Sequence, residues 1–285
     1  MNVAPGNEER HERDFLRRAT AGEAMDRPDC DPDRLYGTLR RFELTNLVLT
    51  RYRLLIRRHI LADMRREPGR VWQFTDLGAG GCDVGRWLVR VCRRERLRVA
   101  VRAIEQDARI VQYARQASRA YPEIDVVEAD ACDPTCWGAP DYLFAQHFLH
   151  HLSDEKCIPL LRDMECVAGR RFVVSDLRRS RAAYWAFKLS VWVMARGSFL
   201  YEDGLASIRR GFLEGEIREM LKAAGMRHSV SCYRLAPSRW VIAGGGGCLY
   251  PGKREFRRLT PQNPRIEAAT MANALRPLMK AIGMG

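Results

Sequence analysis

Val71-Trp72-Gln73-Phe74-Thr75-Asp76-Leu77-Gly78-Ala79-Gly80-Gly81-Cys82-Asp83 passes from an apolar run through a glycine-rich turn into a helical pattern. Glycines placed between a strand and a helix let the backbone turn sharply and approach a ligand where a side chain would clash. Alone, such a turn is weak evidence. The pattern GxGxxG, which cradles a pyrophosphate on a helix N-terminus, fits poorly, because Gly78, Gly80 and Gly81 are followed next by Gly85. Asp76, ahead of the glycines, repels phosphate and suits a ligand that carries an ammonium group.

Downstream of this turn, short apolar runs alternate with helical segments, the signature of βα units around a parallel sheet. Strands are expected over 72–77, 99–104, 124–128, 142–146, 171–175, 226–232 and 240–243, and helices over 85–93, 108–120, 154–167 and 214–224. The fold class is therefore α/β: a Rossmann-like, seven-stranded, mostly parallel sheet with helices on both faces. The second strand ends at Glu105 and Gln106, where a carboxylate can accept both hydroxyls of a ribose. The third ends before Asp130 and Ala131, where a carboxylate can accept from an adenine amino group, and the fourth ends at Gln146 and opens into His147-Phe148-Leu149-His150-His151. Polar strand ends in one parallel sheet line the crevice where ligands of open α/β sheets bind.

In these motifs the chain resembles the class I S-adenosylmethionine-dependent methyltransferases. DLGAGGCDVG is similar to the family's first motif, AIEQDARIVQYAR to its second-strand acidic motif, EADACD to its adenine-side motif and DYLFAQHFLHHLSDE to its fourth motif and the helix after it. The four fall in order, one βα unit apart, over roughly 71–243. The resemblance implies S-adenosyl-L-methionine as cofactor. Asp76, Gly78, Ala79 and Gly80 would surround its methionine part, Glu105 and Gln106 its ribose, Asp130 and Ala131 its adenine, and Gln146 would lie beside the sulfonium. Cys82 departs from the pattern, since a third glycine is usual there, and the loop after Gly81 is expected to differ in shape.

A flexible arm is expected over 1–30, because that stretch is charged and lacks apolar periodicity. A helical region follows over 31–68, where Leu35, Leu39 and Phe42 form one apolar set and Val48, Tyr52, Leu55, Ile56 and Ile60 a second; Thr45 and Asn46 separate them, as one helix or two. The methyltransferase domain occupies 69–244, with a helical cap insertion over 182–210, and 245–285 is a linker and C-terminal tail. Trp185, Phe187, Trp192 and Phe199 of the insertion divide between core and pocket. The lead-in helices and the insertion are similar to those of bacterial methyltransferases acting on phenolic or quinone-like rings. That likeness points to a hydrophobic aromatic small molecule as substrate.

A net charge of +13, with only five Lys among 48 basic residues, reads either as a nucleic-acid footprint or as arginine spread over solvated faces. The arginines occur throughout the chain, which favours the second. Nine cysteines without a CxxC pair make neither a disulfide framework nor a zinc ribbon. The N-terminus has no apolar core, and Lys188 and Arg196 interrupt the most apolar helix. A cytoplasmic protein without a membrane span, monomeric or homodimeric, is expected.

His147, directly after the fourth strand, and His150 are the candidate catalytic bases for removing a phenolic proton; His151 is read as packing locally. The spacing HxxHH can bring two imidazoles to one metal, but with no carboxylate at Gln146 or within Phe148–His151 no metal is expected. O-methylation of a phenolic or polyketide-type ring is the leading reading. C-methylation of such a ring, RNA methylation and a non-catalytic cofactor-binding subunit are the rivals. The Asn/Asp-Pro-Pro-aromatic tetrad common in amine-methylating enzymes of nucleic acids is missing from Ala145–Phe148.

Overall fold

Tyr142, Leu143, Phe144 and Ala145 are wholly buried, as strands covered by helices on both faces must be. The computed structural model describes residues 15–20, 22–191, 197–226 and 230–245. Its seven strands are β1 (Val71–Leu77), β2 (Arg98–Glu105), β3 (Ile124–Glu128), β4 (Tyr142–Gln146), β5 (Arg171–Leu177), β6 (Ser231–Leu235) and β7 (Arg239–Gly244). They lie in the order β3-β2-β1-β4-β5-β7-β6. β1 to β5 are parallel, and β7 runs antiparallel to both β5 and β6. The order reverses between β1 and β4, and ligands of such open sheets bind at the carboxyl ends of the strands around this switch point.

The helices are α1 (Pro32–Thr45), α2 (Tyr52–Ile56, continued by a π-helical segment Arg57–Leu61 and by Ala62–Met64), α3 (Asp83–Glu95), α4 (Ala108–Ala117), α5 (Asp154–Val167), α6 (Arg181–Val191), α7 (Leu200–Arg210) and α8 (Glu214–Ala223). One face of the sheet buries Leu143, Ala145 and Val174 against Leu160, Leu161 and Met164 of α5 and Ile217 and Met220 of α8. The other buries Phe74, Phe144 and Val173 with Leu55, Ile56, Ile60 and Leu61 of α2 and Trp87 and Leu88 of α3. Ala183, Phe187 and Val191 of α6 pack on Leu200 and Ile208 of α7, with Phe42 and Leu49 beside them. The cap thus unites the insertion with the N-terminal helices.

β3, β4 and α5 have the bounds expected from sequence. Three readings differ. The N-terminal helices are divided not at Thr45 and Asn46, which continue into a π-helical segment (Asn46–Thr50), but at Arg51, whose φ of 54° cannot propagate a right-handed helix. The sixth strand begins at Ser231, five residues late: Met226 and Val230 feed the core, and pairing with β7 starts only beyond them. The third concerns the arm. Arg18 donates to the carbonyls of His150 (3.0 Å), Leu152 (2.6 Å) and Arg210 (2.8 Å), and Asp203 accepts from Ala24 N (2.6 Å) and Met25 N (3.1 Å). Residues 22–30 are seated on the cap by bonds to backbone, which leave no apolar period to read. Of the expected linker and tail, all but Gly245 lies outside the described residues, as does Trp192.

Gly211 is where the chain leaves α7 and passes against β5. A Cβ there would stand 2.8 Å from the Leu177 carbonyl oxygen and 3.1 Å from Arg179 N, both backbone atoms that cannot swing aside. Gly211→Ala should destabilise the protein by about 1–3 kcal/mol, whereas Gly215→Ala, with nothing within 4 Å of the added atom, should leave it unchanged or gain up to about 1 kcal/mol of helix propensity. Thermal unfolding of the two variants checks this; equal midpoints would refute it.

Candidate active site

The turn after β1 is set by left-handed residues: Gly78 at φ 66°, Gly80 at φ 51° and Cys82 at φ 60°. A Cβ on Gly78 would lie 2.6 Å from the Phe148 ring, so the close approach of the β1 and β4 loops requires glycine. Cys82 takes its left-handed conformation without being glycine, at a cost on the order of 1 kcal/mol. The Cys82 thiol is buried in the sheet's edge layer, and burial pushes it up to about 12, so it is no nucleophile.

Asp76 is 2% exposed, and its Oδ2 has no hydrogen-bond partner among the described residues. Burial, and then the charges of Asp83 and Glu105, raise its carboxyl well above the usual range. A buried carboxylate in this state calls for a cationic partner. Glu105 accepts from Gly80 N (3.1 Å), Gln106 N (2.8 Å) and Asp107 N (3.1 Å), which ties the end of β2 to the glycine turn. Asp130 is exposed and accepts from Cys132 N (2.8 Å), beside buried Ala131. Gln146 is buried with Oε1 unpartnered. Asp76, Gly78, Ala79, Gly80, Glu105, Gln106, Asp130, Ala131 and Gln146 all line one cavity of about 600 Å³.

Sequence reading missed part of this wall. Asn46 donates to Asp83 (3.4 Å), and burial lifts Asp83 to about 6 although Arg86 opposes it. Asp83 thus adds a second acidic group beside Asp76.

The turn after β4 and the N-terminal segment also line the cavity. Asp176, at the end of β5, caps that turn: Oδ2 accepts from Phe148 N (3.0 Å) and Leu149 N (2.7 Å), and Oδ1 from His150 Nδ1–H (2.7 Å). Burial opposes the charge, yet the His150 contact holds Asp176 far below the usual carboxylate range. His150 is itself 1% exposed. Burial pulls it down, but Asp176 and then Glu23 outweigh that and set it at about 9. Glu23 lies on the same wall, held at about 2 by His150 and His151 against the cost of burial, and accepts from the Ser207 hydroxyl.

His147 is placed differently from expectation. It takes φ 54° at the end of β4, and its Nε2 is 2.8 Å from Nη1 of Arg239, which also donates to the Ser175 carbonyl (2.8 Å). A guanidinium only donates, so Nε2 accepts and the imidazole is neutral. Burial and then Arg239 lower its pKa well below the usual value. Its Nε2 is taken up by the scaffold, whereas His150 Nε2 makes no hydrogen bond among the described residues and faces Glu23 Oε1 at 3.5 Å. A carboxylate at the fifth strand end, by the logic applied to the first three, would have flagged Asp176. Nothing in the sequence flagged Glu23.

No protein-family model matches the chain, and no curated protein matches it in sequence. Solved structures do match in shape. The plantazolicin methyltransferase BamL, in complex with a triazolic desmethylPZN analog and S-adenosylhomocysteine, has a TM-score of 0.52 at 12% identity, over 86% of this chain and 83% of that one. A SAM-dependent methyltransferase from Aquifex aeolicus has a TM-score of 0.50 at 14% identity, over 75% and 97%. The CMeT domain of the citrinin polyketide synthase, at TM-score 0.47 and 14% identity, matches 65% of this chain, which spans 50% of that one. With the strand order and the antiparallel β7, the first two likenesses show that the chain has the Rossmann-like fold of these S-adenosylmethionine-dependent methyltransferases.

Proposed function

We propose that the protein is an S-adenosylmethionine-dependent methyltransferase that acts on a hydrophobic small molecule and methylates a phenolic hydroxyl. One observation carries the reading: a single cavity joins the strand-end residues to an apolar cap and a buried histidine cluster. The residues present fit the cofactor, because Asp76 and Gln146 turn unpartnered buried oxygens toward a ligand with donors and positive charge. When bound, S-adenosylmethionine supplies the activated methyl group and its own leaving group. Asp76 and Asp83 would hold its ammonium group, Glu105 its ribose and Asp130 with Ala131 its adenine.

The chain's share is to position the acceptor, exclude water and act on its proton. Leu39, Phe42, Leu49, Phe187, Leu200 and Ile208 line the cap side of the cavity and favour an apolar ring. His150, oriented by Asp176, activates the acceptor hydroxyl, while His147 braces the β4 turn through Arg239. Part of the positive charge serves the fold: Arg18, Arg109, Arg179, Arg210 and Arg239 donate to backbone carbonyls within it. Among the described residues no helix is long and apolar enough to cross a membrane.

Two measurements test this. Glu105→Ala should weaken S-adenosylhomocysteine binding by roughly 1–3 kcal/mol, the worth of one or two hydrogen bonds to a charged group; unchanged affinity by calorimetry would remove Glu105 from the site. A panel of phenols of graded ring size should yield methyl ethers, identified by mass and by the chemical shift of the new methyl. Products methylated only at ring carbon would replace O- by C-methylation, and no product from any phenol would contradict the substrate class.

A further inference from the structure

The histidine end of the cavity joins two parts of the chain far apart in sequence, Glu23 of the N-terminal segment and the adjacent His150 and His151. Glu23 Oε1 is 3.5 Å from His150 Nε2 and 3.8 Å from His151 Nε2, and the three ligating atoms all lie within 4.8 Å of one another. Both separations exceed a hydrogen bond, which spans about 2.7–3.2 Å. His150 Nε2, on a side chain 1% exposed, has no hydrogen-bond partner among the described residues. Two donor atoms each about 2.1 Å from a shared tetrahedral ion stand about 3.4 Å apart, close to both spacings.

The surroundings follow the same pattern. His150 donates its other ring N–H to Asp176 at 2.7 Å, the carboxylate-backed arrangement that fixes the tautomer of a metal-bound imidazole and raises its basicity. Ser207 orients Glu23. Glu23 and Asp176 together carry the two negative charges that a divalent ion needs in a buried place. His151, with 29% of its side chain exposed, is the ligand with room to close on the ion.

We propose that Glu23, His150 and His151 form a three-ligand site for a divalent first-row transition ion of the zinc class, with its open position turned into the cavity. Two imidazoles and one carboxylate suit such ions, and three protein ligands rather than four leave a place for another oxygen. An acceptor hydroxyl bound there gives its proton to solvent, because the ion's charge stabilises the oxyanion that remains. The inference rests on reading the cavity as the methyl-acceptor site and states how His150 acts in it. It reverses the expectation of no metal, which turned on the lack of a nearby carboxylate; Glu23 supplies one from far upstream.

The test is a titration of the full chain, stripped with chelator, with Zn²⁺ by calorimetry and with Co²⁺ by visible absorption. The expected result is one equivalent bound, with affinity reduced at least about tenfold in Glu23→Gln and in His151→Ala, while both variants bind S-adenosylhomocysteine as the unaltered chain does. No saturable binding, or equal affinity in Glu23→Gln, would overturn the site. If the stripped protein methylates phenols at full rate and His150→Ala does not, the metal is excluded and the acceptor site stands. One tight equivalent on a protein that methylates no small molecule supports the metal site and refutes the acceptor reading.

Discussion

His150→Ala is expected to lower kcat by about 10²–10⁴ while S-adenosylhomocysteine affinity stays nearly unchanged. The imidazole stands on the turn after β4 and not at the ends of β1 to β3 that carry Asp76, Glu105 and Asp130, so its loss leaves those residues in place. The deficit should shrink as pH rises toward 10, near the reference pKa of a phenol, because the ionised acceptor then needs no activation. His147→Ala should cost less activity at any pH, since its Nε2 is bound to Arg239; its loss should appear as lower thermal stability. Near-full activity of His150→Ala at neutral pH would show that positioning alone suffices.

Asp176→Asn should lower kcat by a comparable factor, roughly 10²–10⁴, through His150 rather than through the substrate. An asparagine keeps one oxygen for the amides of Phe148 and Leu149, but its NH₂ group cannot accept from His150 Nδ1–H. The ring is then free to turn or change tautomer, and Nε2 is no longer held in place at the acceptor site. A positioning role predicts a fall in kcat with little change in the KM for S-adenosylmethionine, and partial rescue in Asp176→Glu. Loss of cofactor binding in Asp176→Asn, together with a lower unfolding midpoint, would make Asp176 a structural cap only.

The sheet was legible in the sequence because buried parallel strands are continuous apolar runs with polar ends. Tyr142–Gln146 and Ile124–Glu128 have the expected bounds for that reason. The same signal placed Asp76, Glu105, Asp130 and Gln146 on one wall, since a strand's carboxyl end fixes where its last polar residue stands. What stayed hidden depends on long-range contacts. Glu23 sits in a segment without period, anchored by Arg18 and Asp203, and bonds from a guanidinium to carbonyls leave no trace in a hydropathy pattern. The bond that holds His147 Nε2 stayed hidden because its partner, Arg239, lies on β7, 92 residues downstream. The left-handed backbone at Cys82 was likewise not legible, because that conformation normally selects glycine.

Incubation of the full chain with methyl-labelled S-adenosylmethionine and, separately, a pool of phenolic small molecules and a pool of RNA decides whether the protein methylates small molecules. Label should pass to the phenolic pool, with none above background in RNA, and His150→Ala should suppress the transfer at neutral pH. Label in RNA alone would contradict a small-molecule methyltransferase, as would cofactor binding without transfer to either pool.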